Sequence, residues 1–211
     1  MPTFNPPLTL LLVDDHFVFR AGLKAVLSLR KDFAVVAEAG DAASAVEAFR
    51  KHEPGMTLMD LRLPDRSGIE ALQAIRKENP AARVLMLTTF DRDEDIHRAL
   101  EAGACGYLLK SVPGPELLRA IEAAALGKRY IPPEVQRRLE ERATFGELTD
   151  REREVLPLVA KGLTNKEIAG ILGFTEFTAK AHMRSLLAKL GAADRTELVA
   201  IAVQRGLVHW E

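Results

Sequence analysis

Short apolar runs alternate with longer amphipathic stretches through the first 126 residues. The runs have strand length and predict strands at Thr9–Val13, Phe33–Glu38, Met56–Asp60, Arg83–Thr88 and Cys105–Leu109. The stretches have helical spacing and predict helices near 16–29, 42–52, 68–78, 93–102 and 115–126. Asp41 and Pro115 suit the first turns of two of these helices. Five strand–helix units predict an α/β domain with a doubly wound, five-stranded parallel sheet.

The pattern changes after residue 126. Residues 127–146 contain Pro132-Pro133 and a charged stretch from Gln136 to Arg142, which predict a turn and then a partly helical linker. Residues 147–211 predict a second, all-α domain with helices at roughly 150–161, 165–172, 176–190 and 195–205. Because only Gly173-Phe174-Thr175 joins the second and third of these, they predict a helix-turn-helix. We therefore expect one domain at 1–126 and another at 147–211.

Residues that commonly begin or end helices support the prediction of these four helices. A hydroxyl or carboxyl residue precedes Glu by three positions, as in a capping box, at Thr149–Glu152, Thr164–Glu167 and Asp194–Glu197. Thr175 is a further candidate cap. Glycines stand where three helices should stop, at Gly162, Gly173 and Gly191.

Composition narrows the classes of protein. The net charge of −1 across 211 residues does not by itself indicate a nucleic-acid partner. The single cysteine, Cys105, excludes an internal disulfide framework and a cysteine metal cluster, and its apolar setting predicts a buried structural thiol. Met1 to Pro7 carries no basic side chain, and no apolar run approaches the ~20 residues that span a bilayer. We expect a cytoplasmic protein with no membrane partner.

Several predicted strands end on residues that suit phosphoryl chemistry. Asp14 and Asp15 follow the first strand, Asp60 ends the third, Thr88 ends the fourth, and Lys110 follows the fifth. Because ligands bind beyond the carboxyl ends of parallel strands, these side chains should share one crevice. The carboxylates suit Mg²⁺, and Asp60 suits a nucleophile that forms an aspartyl phosphate. Lys110 would offset the anionic charge of the phosphoryl group.

Two further residues suit a switch beside this crevice. The hydroxyl of Thr88 can hydrogen-bond a phosphoryl oxygen only when a phosphoryl group is present, which would shift a pre-existing equilibrium. Tyr107, on the fifth predicted strand, would change rotamer as the neighbouring loop moves.

The motifs at these strand ends resemble the receiver domain of bacterial two-component response regulators. They are Leu11-Leu12-Val13-Asp14-Asp15-His16, Leu58-Met59-Asp60 through Gly68, Leu87-Thr88-Thr89 and Gly106-Tyr107-Leu108-Leu109-Lys110. The resemblance implies a flavodoxin-like fold in which Asp60 accepts a phosphoryl group from a sensor histidine kinase. It also implies a magnesium ion held by Asp15 and Asp60, by Asp14 mostly through water, and by the backbone carbonyl of Arg62.

The second domain resembles the LuxR-type helix-turn-helix of the NarL/FixJ subfamily. The motifs run from Leu148 to Leu156, from Gly162 to Ala169, and over Lys189-Leu190-Gly191. In the third helix, Lys180 and Arg184 are four residues apart and share a face that differs from the apolar one. A recognition helix in the major groove would use this face. The candidate contacts with double-stranded DNA are Asn165, Lys166, Thr175, Phe177, Thr178, Lys180, Ala181, His182 and Arg184.

Two positions depart from the family pattern. Phe177 stands where polar residues are common, and Ala179 replaces a larger aliphatic residue. Our hypothesis is that Phe177 packs inward over the space beside Ala179 or touches a thymine methyl group. We expect His182 to pack or to contact a phosphate group of DNA rather than to bind a metal ion.

We expect the protein to be a transcription factor and not an enzyme. Phosphorylation of Asp60 would switch it by promoting homodimerisation on DNA. The predicted helix 195–205, with Leu198, Ile201 and Ala202, is a candidate pairing surface or part of the core. Two alternatives stay open: an adaptor that keeps the receiver fold without phosphorylation, and a small Asp-nucleophile phosphohydrolase. The second is weaker because Arg62, not a carboxylate, stands two residues after Asp60.

Overall fold

In the computed structural model, residues 4–89, 93–133, 135–137, 139–140 and 148–208 are described. They divide into two compact units whose main boundary in the chain lies between Pro132 and Pro133, and residues 93–95 group with the second unit. The described part of the predicted linker is helical at residues 133, 135–137 and 139–140, and residues 141–146 of that prediction lie outside the described residues. None of the helices in the described part of the chain is long and apolar enough to cross a membrane.

The first unit is a five-stranded parallel sheet with the order β2-β1-β3-β4-β5. Its strands are β1 (Leu8–Val13), β2 (Phe33–Ala39), β3 (Met56–Met59), β4 (Val84–Thr88) and β5 (Gly106–Leu109). Its helices are α1 (Phe17–Ser28), α2 (Ala42–His52), α3 (Gly68–Glu78), α4 (Asp93–Glu101) and α5 (Gly114–Ala125). The predicted doubly wound α/β domain is confirmed, and each predicted strand lies within a residue or two of its place.

Burial explains why the strands read as continuous apolar runs. Leu10, Leu11 and Leu12 are all buried, so both faces of β1 are covered. Leu10 and Leu12 belong to one core cluster with Leu23 and Leu27 of α1. Ala120, Ile121 and Ala124 of α5 belong to the same cluster. The carboxyl ends of the strands are therefore held on a rigid, close-packed layer.

Residues 148–208 of the second unit form four helices, whose bounds agree with the prediction to within one residue. They are α6 (Asp150–Ala160), α7 (Asn165–Leu172), α8 (Glu176–Leu190) and α9 (Arg195–Gln204). The capping boxes of α6 and α7 are both present, and Thr175 caps α8. Gly173 and Gly191 end α7 and α8 with left-handed backbone, at φ 70° and 68°.

The start of α9 differs in one detail from the expected box. Asp194 accepts hydrogen bonds from the backbone of Thr196 and Glu197. The Glu197 carboxylate, however, accepts from the backbone N–H of Ala193 rather than from the capping residue itself. The reciprocal bond is thus displaced by one residue toward the N-terminus.

The core of the second unit settles one open alternative. Leu198 and Ala202 of α9 are fully buried in a cluster with Val155, Ile168 and Leu186. The face proposed for pairing is therefore core at Leu198 and Ala202, and that part of the prediction is wrong. The reason is that these two side chains pack against residues of α6, α7 and α8, so this face of α9 forms part of the core.

Candidate functional site

The site begins where β1 and β3 end side by side. Asp14 follows β1 and Asp60 follows β3, and the Asp60 N–H donates to the carbonyl of Val13 at 2.8 Å. This parallel pairing brings the two carboxylates together at one edge of the sheet. Asp14 is 3% exposed and Asp60 is 4% exposed. Two neighbouring buried carboxylates that are both ionised require a positively charged partner.

Lys110 supplies that charge from the end of β5. Its ammonium lies 2.5 Å from Asp14 Oδ2 and 2.7 Å from Asp60 Oδ2. The ring of Phe19 lies 4.8 Å from the Lys110 nitrogen, which adds a cation–π contact. The backbone N–H of Lys110 donates to the carbonyl of Thr88 at 2.7 Å. The pairing of β4 with β5 therefore fixes the position of the Lys110 backbone.

The pKa values of the pair follow from burial and from this contact. Burial raises the pKa of Asp60, and the hydrogen bond from Lys110 opposes the rise. For Lys110, burial disfavours the ammonium, but the hydrogen bonds to Asp14 and Asp60 outweigh it and raise the pKa. The lysine is therefore charged, and it helps to keep Asp60 in the ionised form that a nucleophile needs.

Asp15 and His16 complete the solvent-facing side of the crevice. One ligand atom from each of Asp14, Asp15, His16 and Asp60 lies within 4.8 Å of the others. Asp15 and His16 are exposed, whereas Asp14 and Asp60 are buried. The three carboxylates of this group, with a side open to water, are ligands that Mg²⁺ prefers, because that ion keeps several waters. The residues therefore fit a divalent cation.

The loop after Asp60 is held tightly against it. The Arg62 N–H lies 3.4 Å from Asp60 Oδ1, and Arg62 bridges to Ser67 across the loop. Gly68 donates to the carbonyl of Leu61 at 2.7 Å as α3 begins. Ser67 caps α3 by accepting from the backbone of Ile69. The loop is thus a closed turn that ends in a capped helix directly behind Asp60.

Thr88 and Tyr107 lie on the adjacent strands. Thr88 is the last residue of β4, beside Leu109 of β5 in the register, and Tyr107 pairs with Met86. Both Thr88 and Tyr107 are fully buried. The structure thus brings Asp14, Asp15, Asp60, Thr88 and Lys110 to the carboxyl edge of the sheet, as their order along the strands predicts.

The second unit presents a separate surface on α7 and α8. The side chains of Lys166, Lys180, Ala181 and Arg184 are exposed, and Ala179 and Met183 are buried. Lys180 forms an ion pair with Glu176 at 2.8 Å. The exposed cations therefore lie on a face opposite to the apolar one, as the four-residue spacing predicts.

Phe177 is exposed, which overturns half of the hypothesis about it. Its side chain is 75% exposed, so it does not pack over Ala179. Ala179 is itself 1% exposed within the core cluster, which closes around it without the aromatic ring. An aromatic ring at the N-terminal end of α8 is left facing solvent. The hypothesis assumed that the small side chain of Ala179 leaves a space for the ring, but the helix places residue 177 on the outer face.

His182 packs rather than standing free. Its ring lies 5.4 Å from that of Phe174, and the Arg151 guanidinium lies 5.6 Å from the Phe174 ring. Together these contacts tie α6, the turn and α8. Asn165 and Thr175 stand at the starts of α7 and α8, and the hydroxyls of Thr175 and Thr178 lie 2.9 Å apart.

Glu152 is an organising residue that its capping signal only partly predicts. Its carboxylate accepts from the Thr149 backbone at 2.7 Å, from Ser185 Oγ at 2.6 Å and from Lys189 Nζ at 2.8 Å. Burial opposes its charge, but Lys189, Ser185 and Thr149 lower the pKa of Glu152 to about 2. The start of α6 is thereby fastened to the C-terminal half of α8.

Cys105 has the character expected of a structural thiol. It is partly buried, and burial raises its pKa to about 11. The thiolate that a reactive cysteine needs is therefore scarce at neutral pH.

Comparisons with known proteins match both units. Residues 10–122 match the family of response regulator receiver domains, and residues 146–202 match the luxR family of bacterial regulatory proteins. The response regulator protein VraR of Staphylococcus aureus is 38% identical over 204 residues, which cover 94% of this chain and 98% of VraR.

Solved structures of response regulators are also similar to this chain. A LuxR-family two-component response regulator from Aurantimonas is 39% identical with a TM-score of 0.63, covering 65% of this chain and 99% of its own. RcsB from Salmonella enterica serovar Typhimurium, bound to a promoter in the presence of the phosphomimetic BeF3⁻, is 26% identical with a TM-score of 0.73. That match covers 94% of this chain and 98% of RcsB.

Proposed function

Since the chain belongs to the two-component response regulators that join a receiver domain to a LuxR-type DNA-binding domain, we propose that Asp60 is its phosphoacceptor and that an acyl phosphate there controls DNA binding. Membership makes the chain a phosphoacceptor, not an enzyme, so the phosphohydrolase alternative falls away. The contact that carries the proposal is the buried Asp60 carboxylate held at 2.7 Å by Lys110.

The proposed reaction is a phosphoryl transfer from a phosphohistidine of a sensor histidine kinase. An Asp60 carboxylate oxygen bonds to phosphorus as the phosphorus–nitrogen bond of the donor breaks, and the electron pair stays on the imidazole. Lys110 is close enough to stay beside the carboxylate and to balance the added negative charge. Asp60 needs no separate base, because it reacts as a carboxylate.

We assign the cation of this site as Mg²⁺. Asp14, Asp15 and Asp60 would hold it, with the backbone carbonyl of Arg62 as a further ligand. When bound, the ion neutralises the phosphoryl oxygens and orients the group for in-line transfer. The support is the chemistry of the donor set, carboxylates with an open, solvent-facing side.

Thr88 and Tyr107 are the proposed switch residues. Thr88 ends β4, and its carbonyl accepts from the Lys110 N–H. This place beside Lys110 supports the assignment that its hydroxyl bonds an oxygen of a phosphoryl group on Asp60. Such a bond favours one arrangement of the loop after β4 and thereby biases a two-state element. Tyr107 would follow through a change of rotamer on the neighbouring strand.

The proposed DNA surface is the outer face of α8 with the start of α7. We place Phe177, Thr178, Lys180, Ala181 and Arg184 in the major groove. The residues assigned to the phosphate backbone are Asn165, Lys166, Thr175 and His182. The support is the capped helix-turn-helix, which directs the N-terminal half of α8 outward with its cations exposed.

The remaining assignments belong to the same proposal. The chain acts in the cytoplasm as a homodimer when phosphorylated or bound to double-stranded DNA, with domains at 1–126 and 147–211 and the linker at 127–146. RcsB has been solved bound to a promoter, which favours DNA as the target of the second domain here as well.

Labelling by a small phosphodonor tests the acceptor. With acetyl phosphate and Mg²⁺, the wild-type chain should gain one phosphoryl group that hydroxylamine removes, as expected of an acyl phosphate, and intact-mass spectrometry should detect it. Asp60→Asn should gain none, because an amide cannot form the acyl phosphate. Asp65→Asn is the matched control, since Asp65 bonds the α2 backbone instead of the site, and it should label normally. Labelling of Asp60→Asn at the wild-type level would refute the assignment.

A further inference from the structure

His16 stands at the mouth of the cation site. Its Nδ1 lies 2.7 Å from Asp15 Oδ1 and 3.3 Å from Asp14 Oδ1. The backbone N–H of His16 donates to Asp14 Oδ1 at 2.9 Å, which holds the residue against the carboxylate. His16 precedes α1 as its capping residue, yet its side chain makes no capping hydrogen bond. The imidazole is therefore turned toward the acidic cluster instead of the helix.

The two oxygens of each buried carboxylate face different partners. Lys110 contacts the Oδ2 atoms of Asp14 and Asp60. The Oδ1 atom of Asp14 faces His16, and the Oδ1 atom of Asp60 faces the Arg62 N–H. A cation on the Oδ1 side would therefore sit beside His16 and leave the contacts of Lys110 in place.

The separation of the donor atoms suits direct coordination. The ligand atoms of Asp14, Asp15, His16 and Asp60 all lie within 4.8 Å of one another. Opposite ligands of an octahedral ion at ~2.1 Å are ~4.2 Å apart. For all four donor atoms to coordinate one ion, they must therefore move by a few tenths of an ångström. The two exposed side chains, Asp15 and His16, are the freest to do so.

On the basis of the proposed phosphoacceptor site, we propose that His16 is a nitrogen ligand of its cation and makes the site prefer first-row transition-metal dications to Mg²⁺. Sites with nitrogen and oxygen ligands bind the first-row transition-metal dications in an order that rises from Mn²⁺ to Cu²⁺, whereas Mg²⁺ takes oxygen ligands. Three carboxylates bind either class of ion, so the nitrogen is the element of this donor set that discriminates. The same phosphoryl transfer would then proceed with Mn²⁺ at lower concentrations than with Mg²⁺.

Mn²⁺ offers a direct probe of nitrogen ligation. The full-length chain is loaded with Mn²⁺, and electron spin echo envelope modulation is used to detect ¹⁴N coupled to the metal. Calorimetric titrations with MnCl2 and MgCl2 give the two affinities. The variants are His16→Gln and, as a matched control, His52→Gln, since His52 is an exposed histidine of α2 in the same unit.

We expect ¹⁴N modulation in the wild type and in His52→Gln, and none in His16→Gln. The Mn²⁺ affinity of His16→Gln should fall about tenfold, with the Mg²⁺ affinity within about twofold of the wild type. Bound Mn²⁺ without ¹⁴N modulation, or an unchanged ratio of the two affinities in His16→Gln, would overturn the proposal.

The proposed function has its own readout in the same samples. If Mg²⁺ binds and acetyl phosphate labels the chain while the ¹⁴N signal is absent, only the role of His16 is wrong. If neither ion binds and no labelling occurs, the phosphoacceptor assignment itself fails.

Discussion

The backbone of Gly68 lies directly against the carbonyl oxygen of Asp60. A Cβ added at Gly68 would lie 1.9 Å from that oxygen and 3.2 Å from the Cα of Leu61. Both obstacles are backbone atoms, which cannot rotate away as a side chain would. The start of α3 is thereby packed onto the residue proposed to carry the phosphoryl group, and only glycine permits this approach.

Gly68→Ala should lower the free energy of unfolding by about 1–3 kcal/mol, because the methyl group must push the β3–α3 loop aside. It should also slow labelling by acetyl phosphate, since Asp60 moves with the loop. Chemical denaturation and intact-mass spectrometry measure the two effects. Gly22→Ala is the control: a Cβ in that helix meets nothing within 4 Å, so stability should rise slightly. Equal stability of the two variants would contradict the packing argument.

Glu152→Gln should destabilise the second unit in a pH-dependent way. The pKa of Glu152 is lowered from 4.5 to about 2 in the folded protein, so its ionic contribution is complete above pH ~4.5 and is lost as the pH falls toward 2. The cost of the substitution should therefore be largest near pH 7, up to about 3 kcal/mol at 1.36 kcal/mol per pKa unit, and should shrink in acid.

Differential scanning calorimetry of the full chain at pH 7 and pH 3 checks this dependence. Glu154→Gln serves as control, because Glu154 is an exposed residue whose pair with Arg151 contributes less than about 1 kcal/mol. A pH-independent loss in Glu152→Gln would mean that the ion pair with Lys189 is not the cause.

Lys180→Ala should weaken binding to operator DNA by about 1–3 kcal/mol if Lys180 contacts a base edge. Releasing Lys180 from its exposed pair with Glu176 costs less than about 1 kcal/mol, so the pair does not prevent the contact. Glu176→Gln should accordingly bind at least as tightly as the wild type. Fluorescence anisotropy at two salt concentrations measures both variants, and unaltered affinity of Lys180→Ala would argue against a groove-facing α8.

Phe177→Ala should leave stability unchanged, because the ring is 75% exposed. If the ring touches a thymine methyl group, replacing that thymine by uracil should weaken binding of the wild type by about 1 kcal/mol and leave the variant unaffected. A scan of single thymine-to-uracil replacements across the operator identifies the base. Equal responses of wild type and variant at every position would exclude the methyl contact.

The sequence predicts local features well and long-range ones poorly. The strand ends, the capping boxes at Thr149 and Thr164, and the stops at Gly173 and Gly191 depend on neighbours within about four residues, and all are confirmed. The convergence of Asp14, Asp60 and Lys110 was also predictable. It follows from the rule that parallel strands present their carboxyl ends at one edge.

The features that were missed link segments far apart in sequence. Asp65 accepts hydrogen bonds from Ala42 and Ala43 and so caps α2 from the next loop but one. Glu152 reaches Ser185 and Lys189 on α8. Periodicity carries no information on such partners. The proposed role of His16, in contrast, had a local signal in the sequence. His16 directly follows two predicted cation ligands, but in the sequence it is identified only as part of the family motif.

DNA binding with and without beryllofluoride tests the central claim, that an acyl phosphate at Asp60 governs the second domain. Operator affinity is measured for the wild type and for Asp60→Asn in Mg²⁺, with Asp65→Asn as control. We predict that beryllofluoride tightens binding by the wild type and the control at least tenfold and has no effect on Asp60→Asn. An equal response of Asp60→Asn, or no response of the wild type, would contradict the account.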